Sequence, residues 1–178
     1  MTELSLVIRP EAPADADAIE RLHERAFGPG RFARTAHRIR EGAPHLLEIS
    51  FTALVGTLLV GSVRMTPVLA GEAAGLFLGP LTVDPAFENR GIGGALIERS
   101  LAAARAAGHG FVLLVGDEPY YGRFGFKRVP AGRITMPGPI DPDRLLVAEL
   151  MPGSFDEAHG AVLPSRPVAS GRSPGVPR

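Results

Sequence analysis

Three glycines, Gly91, Gly93 and Gly94, lie in the segment VDPAFENRGIGGALIERS, where a helical pattern begins. Glycine is a poor helix former, so placing three of them at the start of a helix has a conformational cost. The backbone N–H groups of a helix N-terminus are unpaired and lie at the positive end of the helix dipole. Glycines let an anion approach that backbone, which predicts a pyrophosphate-binding turn. A tight turn with close helix–strand packing is the alternative.

Apolar segments flank this turn on both sides. GLFLGPLTV (Gly75–Val83) precedes it, the helix is predicted to extend to about Ala107, and FVLLVG (Phe111–Gly116) follows. The order strand, helix, strand predicts a βαβ unit. Pro80 interrupts the first strand, and because proline cannot donate to a sheet ladder, we expect a bulge or a sheet edge there.

The rest of the chain adds strands and helices around this unit. Two β-rich segments, HLLEISFTALV and TLLVGSVRMTPVL, meet near Gly56 and predict an antiparallel hairpin. Further predicted elements are a strand at Leu4–Arg9, a helix carrying Ile19, Leu22 and Ala26, a second helix carrying Phe32, Ala36 and Ile39, and strands at Arg144–Leu150 and Gly160–Pro164.

Composition excludes several classes of function. The 178 residues have a formal net charge of zero, which gives no electrostatic reason to expect nucleic acid or a membrane as partner. The chain has no cysteine, so thiolate metal sites and cysteine nucleophiles are excluded. Because its N-terminus does not resemble a secretory signal, we expect a cytoplasmic protein. We expect one domain over residues 1–164 and a flexible tail rich in Pro, Gly, Ser and Arg over residues 165–178.

Two common phosphate-binding motifs do not fit the glycine-rich turn. A P-loop requires a lysine after its glycines, and the only lysine of the chain, Lys127, lies far downstream. A dinucleotide-binding motif that started at Gly91 would need Gly or Ala at its sixth position, which here is Leu96.

The segment LTVDPAFENRGIGGALIERSLAAARAAG resembles the coenzyme A-binding segment of the GNAT superfamily of N-acetyltransferases. In that family Q/R-x-x-G-x-G/A opens the central helix, and the run from Glu88 to Gly93 matches both glycines. Glu88 departs from the pattern, so we expect its carboxylate to face solvent. LFLGPLTVDP resembles the bulged strand of the family, and YYGRFGF its Tyr-x-x-x-Gly-Phe element. The chain is most similar to compact, single-domain bacterial members.

The resemblance implies a fold of the α/β (α+β) class. Its central sheet would be mixed and mostly antiparallel, with about seven strands flanked by helices. The fourth and fifth strands would separate from each other to admit the cofactor.

The resemblance also implies an acetyl-coenzyme A-dependent N-acetyltransferase that acts directly on a primary amine of a small molecule or protein. A non-catalytic acyl-coenzyme A sensor is the alternative, and a homodimer is possible. Tyr121 would be the general acid, with its neighbour Tyr120 as the alternative. The residues implied to bind the cofactor are Leu81 and Val83 for pantetheine, with Asn89, Arg90, Gly91, Ile92, Gly93 and Gly94 for the pyrophosphate.

The remaining parts of the implied site are less specific. The general base is open between water and one of four carboxylates, Glu48, Glu72, Asp84 and Glu118. No metal is expected, since the histidines lack the spacing of a metal site. We expect the loop Phe27–Arg31, the second helix, and the hairpin near Arg64 and Met65 to frame the amine pocket.

Overall fold

The computed structural model describes residues 5–29 and 35–165. Nine strands are formed in this part of the chain: β1 (Leu6–Pro10), β2 (Phe51–Val55), β3 (Leu58–Ala70), β4 (Ala73–Val83), β5 (Phe111–Val115), β6 (Lys127–Arg128), β7 (Ile134–Thr135), β8 (Leu145–Glu149) and β9 (Gly160–Pro164). The α-helices are α1 (Ala16–Phe27), α2 (Thr35–Gly42), α3 (Ile92–Ala106) and α4 (Glu118–Tyr121).

The strands form one mixed sheet with the continuous order β1-β2-β3-β4-β5-β8-β6. β9 pairs with the end of β3, and β7 pairs with β9. Only the β4–β5 and β7–β9 pairs are parallel among the described strands. The predicted fold class, with a mostly antiparallel sheet flanked by helices, is therefore confirmed.

Helices cover both faces of the sheet. Successive side chains of a strand point to opposite faces, so Val63 and Val68 of β3 face opposite sides. Val63 packs in an apolar cluster with the inner side of α3, whereas Val68 packs with Ile39 of α2. α1 contacts β3 and β4 as well, and its Ile19 is fully buried. The core therefore lies in two layers, one on each side of the sheet.

The predicted βαβ unit and hairpin are both present. β4, α3 and β5 follow one another, and β2 pairs antiparallel with β3 across the turn at Gly56. The predicted strand that begins at His45 starts only at Phe51, because Leu47–Ile49 forms a 3-10 turn instead. β6 and β7 were not predicted, since two residues are too short for a periodic pattern.

β4 carries the bulge that Pro80 predicts. Val63 pairs with Leu81, but Met65 pairs with Leu78, so β4 has one more residue than β3 in this interval. Ahead of the bulge, β4 pairs with β5 at Leu76–Val112 and Phe77–Leu113; among the described residues no β4–β5 pair follows it, although β4 extends to Val83. The separation of the fourth and fifth strands, which the family resemblance implies, begins at this point.

The described part of the chain ends at the first residue of the predicted tail, Ser165, whose N–H donates to the Pro67 carbonyl (2.8 Å). Residues 166–178 of the tail lie outside the described residues. Phe32 of the predicted second helix lies outside them as well. Within residues 5–29 and 35–165, no helix has the length and apolar character needed to cross a bilayer.

Candidate active site

The glycine-rich turn leads into α3 with an open N-terminus. Gly91 caps the helix in the left-handed region (φ +78°), where a side chain would be strained. The first backbone bond of the helix runs from the Ala95 N–H to the Gly91 carbonyl (3.1 Å). The N–H groups of the three preceding residues, Ile92, Gly93 and Gly94, therefore lack intrahelical acceptors, and a bound anion can take that place.

A cleft of about 910 Å³ lies in front of this helix end, within the size range of about 300–1,000 Å³ that is typical of ligand pockets. Seven of the eight residues predicted to bind the cofactor line it, namely Leu81, Val83, Asn89, Gly91, Ile92, Gly93 and Gly94. The eighth, Arg90, does not; its guanidinium lies over the Phe87 ring, 5.4 Å from the ring centroid. Glu88 is exposed, as expected, and also lines the cleft. We call this space the cofactor cleft.

A second cleft, of about 690 Å³, lies where β4 and β5 separate. Phe77 and Leu78 of β4 line one wall, and Leu114 and Val115 of β5 line another. The rest of the lining comes from other elements: Phe27 at the end of α1, Thr35 at the start of α2, both tyrosines of α4, and the segment Pro139–Asp141. We call this space the acceptor cleft. The two clefts share Leu81 and Tyr120, so they meet at these residues.

Tyr121 lies against the strand end of β5. Its ring occupies the space that a side chain at Gly116 would need, and it packs edge-on against Phe126 (centroids 6.0 Å apart). Burial, with smaller contributions from Tyr120 and Asp117, raises the pKa of Tyr121 to about 12. Burial has this effect because it disfavours the charged phenolate. The phenol is therefore protonated at neutral pH.

The short helix α4, which carries both tyrosines, is tied to neighbouring segments by ion pairs. Asp117 accepts a hydrogen bond from the Arg144 Nε (3.1 Å), and Glu118 pairs with Arg128 (2.9 Å). The Gly116 N–H also donates to the Arg144 carbonyl (2.9 Å). Exposed ion pairs contribute little to stability, so their main effect is to orient α4 relative to the cleft.

Most of the candidate general bases lie elsewhere or have other partners. Asp84 accepts from the Ala86 N–H and pairs with Arg25 (3.1 Å), while Glu118 pairs with Arg128. Glu48 and Glu72 are exposed, and neither belongs to the described lining of the two clefts. The carboxylates that do line the acceptor cleft are Asp117 and Asp141, neither of which is among the four predicted candidates.

Only part of the expected frame of the amine pocket lines the acceptor cleft. Phe27 and the first residue of α2 line the acceptor cleft, but residues 30 and 31 of the predicted loop lie outside the described part of the chain. Arg64 is buried and its guanidinium binds Glu11 (2.9 and 3.2 Å), and Met65 is fully buried in the core. Both hairpin residues are therefore structural.

Two arginines outside the predicted site residues also line the clefts. Arg144 lies at the rim of the acceptor cleft and Arg123 in the cofactor cleft. Arg123 lies within the YYGRFGF segment, so the motif itself was a usable signal. For metals, the described residues bring together no group of three His, Cys, Asp or Glu side chains.

Comparison with known proteins identifies similar sequences and folds. The model of the acetyltransferase (GNAT) domain matches residues 48–128, which include β2 to β6 and the glycine-rich turn. An uncharacterized N-acetyltransferase of Escherichia coli, YhbS, is 32% identical over 124 residues, covering 68% of this chain and 74% of that protein.

Two solved structures extend the comparison to three dimensions. Escherichia coli YhbS in complex with coenzyme A superposes with a TM-score of 0.78 at 27% identity, covering 93% of this chain and 92% of that one. A GNAT-family acetyltransferase from Brucella melitensis in complex with acetyl-coenzyme A has a TM-score of 0.60 at 32% identity, covering 81% of this chain and 96% of that one.

Proposed function

Since the chain belongs to the GNAT acetyltransferase family, we propose that it transfers the acetyl group of acetyl-coenzyme A directly to a primary amine. The amine belongs to a small molecule or a protein. The observation that carries this proposal is the meeting of the two clefts at Leu81 and Tyr120. A ligand that extends from the glycine-rich end of α3 across this junction reaches the cleft that contains Tyr121.

The residues of the cofactor cleft fit coenzyme A. Gly93 and Gly94 leave the first turn of α3 without side chains, so the N–H groups of Ile92, Gly93 and Gly94 are available to a pyrophosphate. The backbone of Leu81 and Val83, at the end of the separated strand, would hold the pantetheine arm. Two similar structures contain coenzyme A or acetyl-coenzyme A. When bound, acetyl-coenzyme A supplies the acetyl group as a thioester.

Tyr121 is proposed as the general acid. With a pKa of about 12 its hydroxyl keeps its proton at neutral pH, and it can donate that proton to a leaving thiolate. On the acceptor side, Asp117 and Asp141 line the cleft, and the Oδ1 of each accepts one hydrogen bond, from the Arg144 Nε and from the Asp143 N–H respectively. We propose that the two carboxylates attract an ammonium group and, directly or through water, accept a proton from it.

The test is acetyl-coenzyme A turnover against a panel of primary amines, with release of free thiol as the readout. The protein contributes no thiol background because it has no cysteine. We expect turnover with one class of amine and a loss of kcat of about 10²–10⁴-fold in Tyr121→Phe, the range for general acid–base catalysis. Tyr120→Phe is the matched control, since it removes the neighbouring hydroxyl and leaves Tyr121 in place.

The outcomes separate the possible roles of the site. Unchanged turnover in Tyr121→Phe, or an equal loss in Tyr120→Phe, would contradict the assignment of the acid. Binding of coenzyme A without turnover on any small amine or peptide would favour the acyl-coenzyme A sensor over the enzyme.

Three further expectations belong to this proposal. We propose that residues 1–164 form a single acetyltransferase domain, that the protein acts in the cytoplasm, and that it forms a homodimer. Gel filtration with light scattering tests the last of these, and a monomer at micromolar concentration would contradict it.

A further inference from the structure

The cofactor cleft contains few charges, and most are of the wrong sign for coenzyme A. Its described charged lining consists of Glu88, Glu98 and Arg123. Glu88 occupies the motif position where the family resemblance leads one to expect Gln or Arg. Two carboxylates that line a cleft oppose the binding of phosphate groups, and a cation in the same lining offsets that repulsion.

Arg123 is fixed in a position that supplies this cation. Its Nε donates to the Tyr120 carbonyl (3.3 Å), and its guanidinium carbon lies 4.6 Å from the centroid of the Tyr120 ring and 5.4 Å from that of Phe124. The hydrogen bond and the contacts with the two rings restrict the orientation of the planar guanidinium group. Among the described residues, its two terminal nitrogens donate to no acceptor, so they are available to a ligand.

The rings that hold Arg123 border the N-terminus of α3. A Cβ placed on Gly93 would lie 3.4 Å from the Tyr120 hydroxyl, and one placed on Gly94 would lie 3.4 Å from the Phe124 ring. The guanidinium therefore lies over two rings that border the first turn of α3, and it lines the same cleft as the N–H groups that start the helix. Arg90, by contrast, lies over Phe87 and outside the lining of the cleft, although it belongs to the motif itself.

We propose that Arg123 is the cationic contact of this protein for a phosphate group of coenzyme A. The motif expects Gln or Arg at position 88, and because Glu88 stands there, Arg123 supplies the positive charge instead. A planar guanidinium binds two phosphate oxygens at once, which suits the two free terminal nitrogens. This inference rests on the proposed function, because it presupposes that coenzyme A occupies the cofactor cleft. The phosphate is either the 3′-phosphate or the pyrophosphate.

Calorimetric titration of coenzyme A tests the proposal without an activity assay. We expect Arg123→Gln to raise the Kd by at least about tenfold, as the loss of a hydrogen bond to a charged group does. Arg105→Gln is the matched control and should stay within about twofold, since Arg105 lies in the last turn of α3, at the opposite end of the helix from the glycine-rich turn. Thermal unfolding without ligand verifies that each variant is folded.

A rescue experiment distinguishes a charge effect from a structural one. Glu88→Arg replaces a carboxylate with a cation at another position in the lining of the cleft, so in the Arg123→Gln background it should recover a large part of the lost affinity. A variant that had merely disturbed the Tyr120–Phe124 packing would not be rescued. In the unmodified protein, the Kd should also rise with salt more steeply than in Arg123→Gln.

Dephospho-coenzyme A, which lacks the 3′-phosphate, identifies the phosphate that is bound. If Arg123 binds the 3′-phosphate, the protein and Arg123→Gln bind this compound equally; if it binds the pyrophosphate, the tenfold difference persists. Equal affinity of the unmodified protein and Arg123→Gln for coenzyme A itself, or an equal loss in Arg105→Gln, would overturn the inference. Failure of the unmodified protein to bind coenzyme A would instead overturn the proposed function.

Discussion

At the scale of single residues, the decisive feature is the environment of Tyr121. The ring fits only because residue 116 is glycine, and its burial there holds the phenol in the neutral form. A tyrosine in water ionises near pH 10. With its pKa raised to about 12, the phenol stays protonated over a wider range of alkaline pH than an exposed tyrosine does, although a weaker acid also gives its proton up less readily.

This environment predicts a specific titration. The chain has only two tyrosines, so the absorbance of phenolate at 295 nm reports on few groups. Because Tyr121 ionises near pH 12, Tyr121→Phe should leave the absorbance rise of the folded protein unchanged up to about pH 11. In urea, the same substitution should remove half of the rise near pH 10. A loss of absorbance near pH 10 in the folded variant would contradict the assigned environment.

The same shift has a consequence for stability. The pKa of Tyr121 is raised in the folded state, so the unfolded chain releases the proton first. Stability from this group is complete below about pH 10 and declines as the pH rises towards 12.

At the scale of an element, two glycines at the start of α3, the N-cap Gly91 and the helical Gly93, have different physical roles. Gly91 is required by its backbone, which has a φ of +78°. Gly93 has ordinary helical geometry, and a methyl group there would meet its nearest neighbour, the Tyr120 hydroxyl, at 3.4 Å, an ordinary contact. Gly93 is therefore dispensable for folding, and its absent side chain leaves room for a ligand at the helix N-terminus.

Two substitutions separate these tasks. Gly91→Ala should lower the free energy of unfolding by about 1–2 kcal/mol, the cost of a left-handed residue with a Cβ. Gly93→Ala should raise it by up to about 1 kcal/mol, because alanine favours a helix, yet weaken coenzyme A binding. Urea unfolding and calorimetric titration measure the two effects. Equal destabilisation by both variants would contradict this division.

At the scale of the whole molecule, a buried ionic cluster joins distant segments on the α1–α2 side of the sheet. Glu11, which follows β1, accepts hydrogen bonds from Arg64 of β3 and contacts the Nε2 of His45, ahead of β2, at 3.0 Å. Burial alone would raise the pKa of Glu11, but the bonds from His45 and Arg64 outweigh it and hold the pKa below its ordinary value. The carboxylate therefore stabilises the fold in its charged form.

The cluster predicts sensitivity to acid and to loss of one partner. Stability due to Glu11 is present above about pH 4.5 and is lost as the pH falls through the lowered pKa. Glu11→Gln should cost about 3–5 kcal/mol at pH 7, because it removes the only carboxylate among the described residues that is both buried and hydrogen-bonded to the buried Arg64. Glu20→Gln is the control: its carboxylate is half exposed and 3.8 Å from Arg64, so we expect less than about 1 kcal/mol. Similar losses in both variants would contradict this account.

The sequence predicts best the structures that consecutive residues encode. The strand, glycine-rich turn, helix and strand of β4, α3 and β5 follow from periodicity and glycine placement, and Pro80 indicates the bulge. The hairpin of β2 and β3 is equally local. In contrast, β6 and β7 are two residues long and form through their partners β8 and β9, so their own residues give no detectable pattern.

The sequence by itself therefore determined the βαβ unit, the open helix N-terminus and the tyrosine that follows β5, because short-range sterics and hydrophobic periodicity act between neighbours in the chain. Only the tertiary structure decided which charged groups meet. It places Arg123 rather than Arg90 in the cofactor cleft, and it joins Glu11 to Arg64, 53 positions apart. Such contacts depend on how remote strands and helices pack, and no local pattern of residues encodes them.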